Sequence, residues 1–242
     1  MKNKFSVLVA CLWTLLFLTA PAFGQRVWET KPYQQWSVKD ALKILTDSPW
    51  AQTDDSYREG FFPDDIRARH AEMNDPYPSG LATSVRLRSA LPIRQAFLRQ
   101  KQISVKYDKK SAADKAKFDA EVKEFLDCPP CAKYYIVTMD SGFLNSLLKT
   151  FPEKYPLEKF QSRAFLVNDK EQWRPCVHVK QENQELLFFF TRLDDKGKSL
   201  VTSENKLFGF TMTGKLQDGK LLAGSSWDFE VSTITLGGEI VF

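Results

Sequence analysis

Apolar residues recur at helical spacing in several segments of the first 156 residues. Spacings of three and four residues predict helices over 37–48, 92–101, 111–126 and 141–151. Ser37, with Asp40 three residues later, has the pattern of a capping box at the start of the first helix. Pro92 fits the first turn of the second helix, where a missing N–H costs nothing. The first part of the chain is therefore predicted to be mainly helical.

Two strands are predicted within this helical part. Residues 85–90 alternate Val85 and Leu87 with Arg86 and Arg88, and 134–139 form an apolar run. The resulting order is strand, helix, helix, strand, helix. That order suits a crossover unit with parallel strands.

The pattern changes at 152–156, where short turns begin to separate strand candidates. These candidates lie at 160–167, 173–180, 185–193, 207–213, 221–233 and 239–242. Short connections require antiparallel neighbours, so an antiparallel meander of about five to seven strands is predicted. The run Leu186 to Phe190 lacks alternation, which indicates a strand covered on both faces, with the N-terminal helices on one side.

These elements predict an α+β fold in one domain, residues 25–242. A helix-rich part, 25–156, packs on a β-rich part, 157–242, because neither part has enough amphipathic surface to cover itself. The chain of 242 residues is long enough to bury a full core.

The first 24 residues read as a secretory signal peptide. Lys2 and Lys4 precede the apolar run 5–18, and Ala22 to Gly24 forms a small-x-small cleavage site. The apolar run is shorter than the roughly 20 residues that span a bilayer. We therefore expect a secreted or periplasmic protein with no transmembrane span in the mature chain.

Three short segments resemble the N-terminal region of a family of uncharacterised exported bacterial proteins. They are Gln35-Trp36-Ser37-x-x-Asp40, Asp47-Ser48-Pro49-Trp50-Ala51 and the run from Arg88 to Ala96. The resemblance implies export. It carries no activity, so it assigns no functional residue.

Cys128-Pro129-Pro130-Cys131 is the compact reactive motif of the sequence. Its spacing permits a disulfide, a redox dithiol or half of a metal site. It resembles the active-site motif of thioredoxin-like oxidoreductases, but in that family the first cysteine opens a helix, whereas here a predicted helix ends. The mature chain keeps three cysteines, so we expect a disulfide between Cys128 and Cys131 and a buried, inert Cys176.

A metal site is the alternative for these cysteines. Strand alternation predicts that Cys176 and His178 share a face. Together with Cys128 and Cys131 they would complete a Cys3His set for zinc.

Charge indicates a second candidate site. Removal of Lys2 and Lys4 lowers the formal net charge from +4 to about +2, which does not favour a nucleic-acid partner. Residues 83–110 are nevertheless rich in basic residues and contain one acid, Asp108. Within this segment, the candidate site for an anionic ligand consists of Arg86, Arg88, Arg94 and Arg99. The alternative is that these arginines pair internally or lie on solvated faces.

Recognised catalytic motifs are absent from the sequence. It contains no G-x-S-x-G, H-E-x-x-H, P-loop or Gly-rich dinucleotide pattern, and it predicts no cofactor. The expected function is therefore non-catalytic binding or association with the cell envelope, with an envelope protein or an anionic polymer as partner. The alternative is a thiol-disulfide or metal-dependent enzyme centred on the cysteine motif.

Overall fold

The computed structural model describes residues 26–54, 83–212, 215–217, 220–222 and 226–242. The predicted signal peptide, 1–24, lies outside the described residues. Within the described ranges, the helices are all too short or too polar to cross a membrane.

The helices of the described residues are α1 (Val27–Thr30), α2 (Val38–Thr46), α3 (Leu91–Ser104), α4 (Ala112–Asp127), α5 (Gly142–Thr150) and α6 (Leu157–Gln161), and 3₁₀ turns lie at Tyr33–Gln35, Tyr107–Lys109 and Pro129–Ala132. Helices α2 to α5 are the four predicted ones, with small shifts at their ends, whereas the short helices α1 and α6 were not predicted. The capping box of α2 is confirmed: the Asp40 N–H donates to Ser37 Oγ at 3.1 Å, and the Ser37 N–H donates to the Asp40 carboxylate at 2.9 Å. Pro92 lies in the first turn of α3, as predicted.

All pairings between the described strands are antiparallel. The strands are β1 (Asp47–Ser48), β2 (Ala51–Asp54), β3 (Thr83–Leu87), β4 (Tyr134–Ser141), β5 (Phe165–Asn168), β6 (Trp173–Pro175), β7 (His178–Glu182), β8 (Glu185–Thr191), β9 (Leu207–Thr211), β10 (Lys215–Gln217), β11 (Lys220–Leu222), β12 (Ser226–Glu230), β13 (Thr235–Leu236) and β14 (Glu239–Ile240). One sheet has the order β1-β2-β3-β4-β8-β7, a second has the order β12-β9-β5-β6, and β10-β11 and β13-β14 are hairpins. The predicted α+β class with antiparallel sheets is confirmed.

The predicted crossover between β3 and β4 is wrong. The two strands pair antiparallel, with Val85 opposite Met139 and Leu87 opposite Val137. The reason is the number of helices between them. One helix would return the chain to the end of the sheet at which β3 begins, and the next strand would then run parallel to β3. Here the second helix, α4, carries the chain back to the end at which β3 finishes, so β4 runs antiparallel to β3.

The C-terminal strands do not form one meander on their own. Strands β7 and β8 extend the sheet begun by the N-terminal part, whereas β5, β6, β9 and β12 form the second sheet. The two sheets face each other, and Phe188 and Phe190 contact Phe210 with ring centroids 5.2 and 6.0 Å apart. Strand β8 is covered on both faces, as predicted. The second sheet covers the face of Phe188 and Phe190, and the N-terminal helices α3 and α4 lie on the side of Leu187.

One hydrophobic cluster joins the two parts of the chain. It includes Trp36 and Trp50 from the N-terminal part and Phe208, Trp227 and Ile234 from the C-terminal part. On the opposite face of the six-stranded sheet, Leu187 and Phe189 belong to a smaller cluster. Helix α4 contributes Phe118 and Val122 to a third cluster, which also contains Leu98 of α3. The candidate sites lie on this outer side of the sheet.

Candidate functional site

A disulfide joins Cys128 and Cys131 at the end of α4. Cys128 adopts a left-handed conformation with φ of 49°, and its N–H donates to the Glu124 carbonyl at 2.9 Å, which ends the helix. The Cys131 N–H then donates to the Cys128 carbonyl at 2.8 Å. The predicted pairing is therefore present, at the C-terminal end of a helix as the sequence indicated.

Cys176 and His178 do not share a face, so that prediction is wrong. Cys176 lies in the main core with its thiol donating to the His178 carbonyl at 3.0 Å. The His178 ring instead contacts Phe189 of the smaller cluster, with centroids 5.4 Å apart. The chain passes from one sheet to the other between β6 and β7, so strand alternation does not continue from 176 to 178.

The four residues of the metal alternative do not come together in the structure. Cys128 and Cys131 are bonded to each other, and Cys176 and His178 lie on opposite sides of the six-stranded sheet. Within the described residues, His, Cys, Asp and Glu form no group of three or more that could hold a metal ion.

Three of the four candidate arginines have internal partners. Arg86 is buried, donates to the Leu45 carbonyl at 2.7 Å and forms an ion pair with Glu185 at 2.8 Å. Arg99 is buried, donates to the Trp36 carbonyl at 2.9 Å and pairs with Asp108 at 3.0 Å. These contacts connect helices to strands and loops, so they favour the internal-pairing interpretation for both residues.

Arg94 supports the end of α4 and the disulfide. Its Nε donates to the Leu126 carbonyl at 2.9 Å, and its Nη1 contacts the Ser89 carbonyl and lies 3.5 Å from Cys131 Sγ. Burial lowers the pKa of Arg94 to about 10. The guanidinium has a structural role here and is not available to a ligand.

Arg88 differs from the other three arginines. Its guanidinium carbon lies between the rings of Phe97 in α3 and Phe125 in α4, at 4.5 and 4.4 Å from their centroids. In the described part of the chain, the Arg88 guanidinium has no hydrogen-bond acceptor or ion-pair partner within normal distance. Burial lowers the pKa of Arg88, and Glu185 and Glu182 oppose that shift.

Arg88 lines a cleft of about 350 Å³ between α3, α4 and the β7–β8 hairpin. The apolar wall of the cleft consists of Phe97, Leu98, Val122, Phe125 and Leu187. The polar and charged lining consists of Arg88, Lys101, Glu121, Glu182, Asn183 and Glu185. The cleft therefore combines an apolar wall with charged groups of both signs, and ligand sites commonly join apolar surface to polar groups that fix the ligand's orientation.

The acids on the hairpin already have cationic neighbours. Glu185 pairs with Arg86 at 2.8 Å; burial raises the pKa of Glu185, while Arg86 and Arg88 oppose the shift. Glu182 accepts from Lys180 at 2.7 Å. Arg88 is thus a cation of the cleft wall whose donors are unused by the described residues.

The β7–β8 turn sets the position of these acids. Asn183 and Gln184 both have positive φ, 49° and 67°, as a two-residue hairpin of this hand requires. Asn adopts this conformation readily, whereas Gln does so at some cost in strain. The Gln184 carbonyl accepts from the Asn145 side chain, which ties the turn to α5.

The sequence contained no signal for this cleft as a whole. Helical spacing puts Phe97 among the apolar residues of one helix and Phe125 among those of another, but it does not show that the two rings flank Arg88. The cleft depends on how α3 and α4 pack, which helical spacing alone does not determine.

Comparisons with known proteins add no assignment, because no protein-family model, no curated protein and no solved structure matches the chain.

Proposed function

We propose that the chain is an exported, non-catalytic binding protein and that the cleft beside Arg88 is its ligand site. The observation that carries the proposal is the Arg88 guanidinium, held between Phe97 and Phe125 without an acceptor among the described residues. A guanidinium carries five N–H donors in a planar fork that matches a carboxylate or phosphate.

The energetics favour an anionic ligand group at this position. Partial burial removes water from Arg88, and each aromatic contact returns only about 0.5–2 kcal/mol. A bidentate, charge-assisted pair with a ligand anion would supply the missing hydrogen bonds. The two rings also hold the guanidinium plane, so little side-chain freedom remains to be lost on binding.

The rest of the cleft supports a ligand with an apolar body. Leu98, Val122 and Leu187 extend the apolar surface beyond the two phenylalanines. The volume of about 350 Å³ lies within the range of small-molecule pockets, roughly 300–1,000 Å³. The expected ligand therefore combines an anionic group with an apolar part.

Export is supported by the predicted signal peptide and by the resemblance to exported bacterial proteins. A disulfide such as Cys128–Cys131 is typical of an oxidising compartment. We therefore propose a secreted or periplasmic location.

The thiol-disulfide enzyme is the weaker proposal. Cys128 follows the C-terminal end of α4, where the helix dipole disfavours a thiolate. Redox-active thiols of low pKa are found at helix N-termini or beside cations. Cys131 does have a cationic neighbour, since Arg94 Nη1 lies 3.5 Å from its Sγ, but Cys131 is buried and is therefore poorly placed to meet a substrate.

Binding of 1-anilinonaphthalene-8-sulfonate to the mature chain tests the proposed site, because this fluorescent probe combines an apolar body with an anion. Arg88→Gln should weaken binding at least about tenfold, as expected from the loss of a charged hydrogen-bond pair. Arg88→Lys keeps the positive charge but loses the planar fork of donors. Its affinity for the probe should therefore lie between that of the natural protein and that of Arg88→Gln. Arg26→Gln is the matched control, because Arg26 is exposed and does not line the cleft. Equal affinity of all four proteins would overturn the proposed site, and thermal unfolding of each variant shows that it is folded.

A further inference from the structure

We infer that the ligand of the cleft is a small zwitterion with an apolar body, of the class of an amino acid or short peptide. The inference rests on the proposed binding function and specifies its ligand. It is based on the arrangement of charge around the cleft, on the size of the cleft and on its apolar wall.

The cationic side of the cleft fits one carboxylate. Arg88 provides unused donors between its two rings. Lys101, the other cation of the lining, has its ammonium 5.7 Å from the centroid of the Phe118 ring, which does not line the cleft. One planar guanidinium therefore dominates the recognition of the anion, and a single carboxylate satisfies it.

The acidic side of the cleft favours a cationic group on the same ligand. Three lining carboxylates, Glu121, Glu182 and Glu185, face two lining cations. Glu185 is neutralised by Arg86, and the ion pair that Glu182 forms among the described residues is with the exposed Lys180. Glu121 is exposed and has no ion pair within the described part of the chain. A dianion would be repelled by these acids, whereas an ammonium would be attracted.

The size of the cleft favours a small molecule over a polymer. A volume of about 350 Å³ equals that of roughly twelve water molecules, at ~30 Å³ each. That volume holds one apolar side chain with its polar ends. Phe97, Phe125 and Leu187 would contact the apolar part.

Titration calorimetry of the full mature chain with three probes that share a benzyl group tests the inference. L-phenylalanine carries both charges, L-phenylalaninamide lacks the carboxylate, and 3-phenylpropionate lacks the ammonium. We expect L-phenylalanine to bind at least about tenfold more tightly than either of the others. In Arg88→Gln, L-phenylalanine should no longer bind more tightly than L-phenylalaninamide. In the double variant Glu121→Gln/Glu182→Gln, L-phenylalanine should no longer bind more tightly than 3-phenylpropionate. Arg26→Gln is the control and should change neither of these affinity ratios.

Each other outcome overturns the inference in a recognisable way. Equal or tighter binding of 3-phenylpropionate would indicate a simple anion, and tighter binding of the amide would indicate a cation. If none of the three probes binds while the naphthalene sulfonate still binds through Arg88, the zwitterion is excluded and the binding site stands. If the sulfonate also fails to depend on Arg88, the proposed function itself is overturned.

Discussion

Trp50 Nε1 donates a hydrogen bond to the Val241 carbonyl at 2.7 Å, across 191 residues of chain. Trp50 is fully buried, and Trp28 packs edge-on against it with ring centroids 5.4 Å apart. The Trp28 indole N–H is also buried but has no acceptor within the described residues. The two neighbouring tryptophans therefore differ in whether their N–H is satisfied, and this difference can be measured.

Trp50→Phe should lower the free energy of unfolding by about 0.5–1.5 kcal/mol more than Trp28→Phe does. Trp50→Phe removes the donor to the partly buried Val241 carbonyl, and the net contribution of such a hydrogen bond is about that large. Trp28→Phe removes an N–H that makes no hydrogen bond to the described residues, so no hydrogen bond is lost. Urea unfolding of both variants measures the difference. Equal losses would show that the hydrogen bond to Val241 contributes nothing beyond packing.

Trypsin cleavage after Lys154 should not produce two stable fragments. Lys154 is exposed in the segment between the helix-rich and β-rich parts, whereas the next residue, Tyr155, is buried in the main core. Because one cluster contains Trp36 from one part and Phe208 from the other, a fragment would expose the surface that the other part covered. Gel electrophoresis over a digestion time course measures this. Two persistent fragments would contradict the prediction of one domain.

Ser37→Ala should destabilise the protein by about 1 kcal/mol, the usual cost of losing an N-cap. The Asp40 carboxylate accepts from the Ser37 N–H at 2.9 Å, and that backbone hydrogen bond is the main cause that lowers the pKa of Asp40. The stabilisation from ionised Asp40 is therefore complete above its unfolded pKa of about 3.9 and is lost as the pH falls through the lower folded value.

Asp40→Asn provides the matched test of the charge at this cap. The difference in free energy of unfolding between the natural protein and Asp40→Asn should be constant near neutral pH and should shrink below about pH 4. Asp40 is partly exposed, and solvent screens its charge, so the change should be small. A difference that persists unchanged at low pH would exclude a role for the ionised carboxylate.

The sequence predicted the local features of this fold well. The cap of α2, the position of Pro92 and the Cys128–Cys131 pairing depend on residues within a few positions of one another. The partition of the strands into two sheets was not predictable in this way. It depends on β8 pairing with β4, for example Phe188 with Val137, about fifty residues earlier in the chain.

The arginines show the same limit at the candidate site. In the sequence, the four arginines belong to one basic segment, and nothing in that segment indicates which of them are buried. The partners that remove Arg86 from the surface, Leu45 and Glu185, are distant in sequence on either side. Arg88 meets Phe125 only because α4 packs beside α3. Composition could therefore suggest a candidate anion site, but it could not show that Arg88 is the one of these four arginines without an internal partner among the described residues.

Alkylation of the predicted mature chain, residues 25–242, under denaturing, non-reducing conditions should label one thiol, Cys176. Cys128 and Cys131 are protected by their disulfide. In the native protein Cys176 should react slowly, because it is 6% exposed and burial raises the pKa of its thiol to about 11. Mass spectrometry of the labelled peptides identifies the sites. Rapid native labelling of Cys128 or Cys131 would instead support the thiol-disulfide enzyme.

The raised pKa of Cys176 also predicts how stability changes at alkaline pH. Burial raises the thiol pKa from 9.0 to about 11, so the unfolded chain loses this proton first as the pH rises. Stability from this group is complete below about pH 9 and is lost progressively up to about pH 11, by about 2–3 kcal/mol in total at 1.36 kcal/mol per pKa unit. Other groups titrate in the same range, so the measurement is the difference in free energy of unfolding between the natural protein and Cys176→Ala. That difference should shift in favour of Cys176→Ala between pH 8 and pH 10.5. A difference independent of pH would show that the thiol titrates equally in the folded and unfolded chain.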